Sequence, residues 1–137
     1  MKLSARNQFP GKVEAIQEGS VNSIVTLKTD VGNISATISV AAVKELGLAV
    51  GKDATAIIKA TEVLIGTGDF KLSARNQISG EITAVQEGTV NAIVTLKAAG
   101  GSLITSTISL AAVKELDLAP GVKAVAIVKA TSVIIAA

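Results

Sequence analysis

The stretch Gln17-Glu18-Gly19-Ser20-Val21-Asn22-Ser23-Ile24-Val25-Thr26-Leu27-Lys28 reads as a β-hairpin. It occurs again as Gln86-Glu87-Gly88-Thr89-Val90-Asn91-Ala92-Ile93-Val94-Thr95-Leu96-Lys97. Glycine suits a tight turn, and the β-branched residues that follow suit a strand. Residues 11–18 and 21–29 are therefore expected as strands joined at Gly19. Working outward, residues 2–28 align with 71–97 without a gap, and 19 of the 27 positions are identical. Residues 35–65 align with 105–135 after a one-residue shift, with 20 of 31 identical. The shift falls between 29–33 and 98–102, where a length change marks a surface turn. The chain is thus two copies of one small unit. Residues 1–66 read as the first domain, 67–70 as a short Gly-bearing linker, and 71–137 as the second domain.

The rest of the unit follows from local signals. Residues 34–39 read as a third strand and 40–46 as a short helix. Ser39 can cap that helix with its hydroxyl, and Gly47 suits the left-handed stop, with Asp117 in its place in the second copy. Strands over 53–59 and 62–65 complete the unit. Three strands, a helix and two strands match the connectivity of an OB-type barrel. The expected fold is all-β: two tandem OB-type five-stranded barrels, each with one short helix after the third strand.

With aromatics only 1% of the chain, the core must come from Val, Ile, Leu and Ala. Units of about 65 residues bury a modest core. The chain has no Cys and no His, which excludes disulfides and zinc sites built on thiolate or imidazole. Oligomerisation is the expected remedy. Ile24 and Ile93 interrupt the polar faces of their strands, and Ile57 and Ile127 share a face with Lys59 and Lys129. Apolar residues on both faces point to an inter-domain or inter-subunit surface.

Composition also narrows function. Lys plus Arg is 13 against 11 for Asp plus Glu, too balanced for a polyanion binder. No secretory signal or membrane-length apolar run is present, so a cytoplasmic protein is expected, with no membrane partner. Single-strand nucleic-acid binders need stacking aromatics. Only Phe9 and Phe70 are available, and Phe9 becomes Ile78 in the second copy, so no nucleic-acid partner is expected. No His activates a serine, no phosphate loop occurs, and Glu14, Glu18 and Glu45 look solvated. An enzyme is not expected.

Oxyanion binding fits the shared polar residues. Ser4-Ala5-Arg6-Asn7 and Ser73-Ala74-Arg75-Asn76 precede the first strand of each copy. In an extended segment Ser and Arg two apart point the same way, and the guanidinium fork suits a tetrahedral oxyanion. Lys59-Ala60 and Lys129-Ala130 add a charge at the end of the fourth strand. Ser39 and Ser109 add a hydroxyl beside free N–H groups at the helix entrance. Micromolar affinity needs about −8 kcal/mol, and charge-assisted hydrogen bonds contribute roughly 1.5–3 kcal/mol each. Several donors must converge, so a site assembled between domains or subunits is expected.

At these residues the chain resembles the molbindins, built from the Mop (TOBE-like) domain. The Ser-Ala-Arg-Asn-Gln opening, the Glu-Gly-x-Val-Asn turn, the Ile-Ser-x-x-x-Val helix entrance and the Val/Ile-Lys-Ala-Thr ending match in order, twice. The resemblance implies a trimer of two-domain chains holding molybdate, and often tungstate, at subunit interfaces, with no further cofactor. It implies one kind of site at Ser4, Arg6, Ser39, Lys59 and Ala60, and a counterpart at Ser73, Arg75, Ser109, Lys129 and Ala130. A second kind is implied at Gly19, Ser20, Val21 and Asn22, and at Gly88, Thr89, Val90 and Asn91. Family members often carry Ser where this chain has Ala42 and Ala112, so affinity or selectivity is expected to differ. Storage and homeostasis of the anion is the expected role. The alternatives are ligand sensing within a molybdate regulator or transporter, for which this complete-looking chain lacks an attached domain, and a purely structural assembly module.

Overall fold

A computed structural model describes all 137 residues. The first copy runs β1 (Asn7–Glu18), β2 (Asn22–Thr29), β3 (Gly32–Ser39), α1 (Val40–Glu45), β4 (Asp53–Ile58), a 3-10 turn (Ala60–Glu62) and β5 (Leu64–Gly66). The second repeats it as β6 (Asn76–Glu87), β7 (Asn91–Ala98), β8 (Leu103–Ser109), α2 (Leu110–Glu115), β9 (Lys123–Val128), a 3-10 turn (Ala130–Ser132) and β10 (Ile134–Ala136). The expected order of elements holds.

Several boundaries differ from the sequence reading, among them β3, which begins two residues early at Gly32. Strand β1 begins four residues early and contains Pro10. Pro10 lies in the half of β1 paired with β4 alone, where a missing N–H is tolerated. Lys59 is not in the fourth strand but just beyond it, at the start of the 3-10 turn. That turn takes up Glu62, and the last strand begins at Leu64.

The pairing of the strands differs more. Each sheet has five antiparallel strands, ordered β10-β4-β1-β2-β3 and β5-β9-β6-β7-β8. The fifth strands are exchanged: Ile134, Ile135 and Ala136 pair with Ile57, Ala56 and Thr55, while Leu64, Ile65 and Gly66 pair with Ile127, Ala126 and Val125. The sequence copies and the sheets are therefore different sets of residues. Ile57 and Ile127, apolar on an unexpected face, sit opposite the strand from the other copy and are buried. The 3-10 turns also pack across, Ala60–Glu62 against β8 and Ala130–Ser132 against β3.

One apolar core of Val, Ile, Leu and Ala joins both sheets, with Phe9 its one aromatic residue. At Gly11 a side chain would put Cβ 2.2 Å from the Lys28 carbonyl oxygen, and at Gly80 2.3 Å from that of Lys97. Both copies keep glycine because the first two strands approach this closely. Ser39 and Ser109 cap their helices, each hydroxyl accepting from the N–H three residues on at 3.0 Å.

Candidate functional site

The Ser-Ala-Arg segments are bent rather than extended. Gln8 Nε2 folds back to donate to the Ala5 carbonyl at 2.9 Å, and Gln77 does the same to Ala74 at 2.9 Å. The next residue anchors each segment across the exchange. Asn7 Nδ2 donates to the Thr105 carbonyl at 2.8 Å, and the Thr105 N–H donates to Asn7 Oδ1 at 2.8 Å. Asn76 makes the same two bonds with Ser35, both 2.8 Å. Each side-chain amide copies a peptide group and pairs with the third strand of the other copy. Both asparagines are buried, 2% and 3% exposed, so leaving either amide unpaired would be costly.

This anchoring gathers a cavity of about 610 Å³ lined by Ser73, Arg75, Lys129 and Ala130 of the second copy. Thr37, Thr61 and Glu62 of the first copy also line it, with Leu64, Leu72 and Ile127 as apolar wall. Four residues expected together are thus brought together. Ser109 is not among the lining residues. By the repeat, the residues corresponding to Thr37 and Glu62 around Ser4, Arg6, Lys59 and Ala60 are Thr107 and Ser132 of the second copy.

Ser39 is not brought to Arg6. Asn7, beside Arg6, pairs with Ile58 at one end of β1. Ser39 pairs with Asn22, just past the other end, roughly 40 Å of strand away. Ser39 instead follows Thr37 by two residues on β3, about 7 Å along the strand, and so lies nearer the cavity of the second copy. Within one chain it adjoins the Gly19-Ser20-Val21-Asn22 turn, where the Val40 N–H donates to the Val21 carbonyl at 2.9 Å. The second copy repeats this at Ser109 and the Gly88-Thr89-Val90-Asn91 turn, with Leu110 donating to Val90 at 2.8 Å. These turn residues are exposed, and Val21 and Val90 strongly so. The Ala42 and Ala112 N–H groups donate to the cap hydroxyls.

The one ion pair of the chain is Lys12–Asp53 at 2.6 Å, far from this cavity. Arg6, Arg75, Lys59 and Lys129 therefore have no carboxylate partner. Unpaired cations beside hydroxyls in a concave, partly apolar pocket can hold a small anion. No group of three or more Asp, Glu, His or Cys side chains comes together to hold a cation. The sequence reading missed Thr37, Thr61 and Glu62, which only the exchange brings in. It also missed the role of Asn7 and Asn76; a short amide at the same place in both copies was the available signal.

The TOBE domain family model matches residues 3–65 and 72–135. The chain is 43% identical over 138 residues to the molybdenum transport protein ModE of Azotobacter vinelandii, covering 99% of this chain and 51% of that protein. It thus spans about half the length of such relatives. It is 61% identical over 67 residues to a probable molybdenum-pterin-binding protein of Haemophilus influenzae, covering 48% of this chain and 97% of that one. The solved structure of the cytoplasmic molybdate-binding protein ModG with molybdate bound superposes with a TM-score of 0.95 at 43% identity, covering 98% of each chain. With both copies matched nearly end to end, the chain belongs to the TOBE domain family, as a tandem member of its molbindin branch.

Proposed function

We propose that the chain binds molybdate, and tungstate by the same chemistry, and serves to store and buffer the anion in the cytoplasm. The observation that carries this is the cavity holding Ser73, Arg75 and Lys129 with no carboxylate paired to either cation. The likeness to ModG, solved with molybdate, supports the identity of the ligand. Each sheet, with the 3-10 turn packed on its far strand, supports the reading of two OB-type barrels. Exposed Leu3, Leu72, Leu64, Ile134, Val21 and Val90 supply apolar surface for a trimer, in which neighbouring chains complete the anion sites. The Gly19–Asn22 and Gly88–Asn91 turns line the second kind of site in that assembly.

Isothermal titration tests the reading. Arg6→Ala with Arg75→Ala removes two or more charge-assisted bonds and should weaken molybdate binding at least about a hundredfold. The melting temperature should hardly move, because neither arginine packs in the core. Unchanged affinity would sink the assignment. The longer ModE-type relatives favour one second reading, a sensing module within a larger protein. A chain that binds molybdate and also changes the activity of a fused or partner domain would support it.

A further inference from the structure

We propose that the two anion sites formed at the exchange are inequivalent, and that Glu62 is the residue that separates them. This rests on the oxyanion-binding reading and adds a specificity element to it. The cavity holding Ser73, Arg75 and Lys129 is also lined by Glu62 from the other copy. In the repeat the position of Glu62 is occupied by Ser132. By the repeat, the site of Ser4, Arg6 and Lys59 carries a neutral hydroxyl where its counterpart carries a carboxylate.

Glu62 is half-buried, and its Oε2 accepts a hydrogen bond from Ser132 Oγ at 3.1 Å, which holds the carboxylate at the seam. No Lys or Arg nitrogen lies within 4.0 Å to neutralise it. An ionised carboxylate only accepts hydrogen bonds, so it offers nothing to a fully deprotonated oxyanion and repels it. At about 6 Å in a water-like medium, repulsion of a dianion weakens binding on the order of tenfold. The Arg6 site therefore fills first and the Arg75 site second, although their basic residues are the same.

The test is calorimetric titration of the full chain with molybdate, using single-arginine backgrounds to isolate each site. With Arg6→Ala, adding Glu62→Ser should tighten the remaining Arg75 site about tenfold. Glu62→Gln, which keeps the shape and removes the charge, should reproduce most of that gain. With Arg75→Ala, the same changes should tighten the Arg6 site clearly less, because there the carboxylate acts only from beyond Ser132. No gain in the first background, or equal gains in both, overturns the inference while leaving oxyanion binding intact. A wild-type chain that binds no molybdate overturns the parent reading and this inference together.

Discussion

The two copies place a core hydroxyl at different points. The first has Ser23 on β2 where the second has Ala92, and the second has Ser106 on β8 where the first has Ala36. All four positions are buried. Ser106 Oγ donates to the Val63 carbonyl at 2.6 Å and so ties β8 to the crossing segment of the first copy. Ser23 Oγ has no partner. The same kind of substitution thus joins the copies in one place and costs stability in the other. The surface differs in another way. Lys12 pairs with Asp53, but the facing residues in the second copy are Glu81 and Lys123, with the signs reversed. Lys12 and Asp53 are 66% and 84% exposed, so that ion pair adds little. Backbone register, not surface charge, is what the copies share.

The largest break in this comparison should come at the exchanged strands. Ile135 is buried in the sheet of the first copy, whereas its counterpart Ile65 is only half-buried. Ile135→Asp buries an unpaired carboxylate and should cost about 4 kcal/mol or more. Amide hydrogen exchange should rise first around Ala56, some eighty residues away in sequence but across the ladder in space. Exchange rising around Ala126 instead would mean that each copy keeps its own fifth strand. Ile65→Asp should cost clearly less.

A smaller effect is expected at the asparagine anchors. Asn76→Ala leaves the Ser35 N–H and carbonyl without partners and should destabilise by about 2–3 kcal/mol in denaturant titration. The loss should carry over to anion affinity, since the anchor sets Arg75 against β3. Asn7→Ala should match it, and a neutral result at either would deny the anchor its role. The smallest change sharpens the comparison in the opposite direction. Ser23→Ala, which copies Ala92, removes an unsatisfied hydroxyl and should stabilise by about 1 kcal/mol. A lower melting temperature would show that the hydroxyl has a partner after all.

Much of the unit was legible in the sequence. The hairpin at Gly19, the Ser39 cap and the left-handed stop at Gly47 are local features that neighbouring residues dictate, and the structure has them. Asp117 takes the same left-handed conformation, with φ 51°. The polar residues proposed as donors stand out too, because the repeat shows them twice. Which of them meet within one chain was not legible. The resemblance groups Ser39 with Arg6 at a subunit interface, whereas within one chain β3 carries Ser39 away from Arg6. The start of β1 was hidden because Pro10 argues against a strand until its unpaired side is known.

By itself, the sequence determined the repeat, the order of elements and a core of aliphatic residues, and it supplied the polar residues proposed for the anion site. These follow from periodicity, composition and residue type, which are properties of short stretches. Only the tertiary structure decided which copy receives each fifth strand. Leu64-Ile65-Gly66 and Ile134-Ile135-Ala136 are so alike, as are β4 and β9, that local pairing preference cannot choose between them. The choice lies in contacts far apart in the chain: the crossing after Lys59 and Lys129, and the buried amides of Asn7 and Asn76 on the opposite third strands. That choice also decides that a glutamate from one copy faces an arginine site of the other.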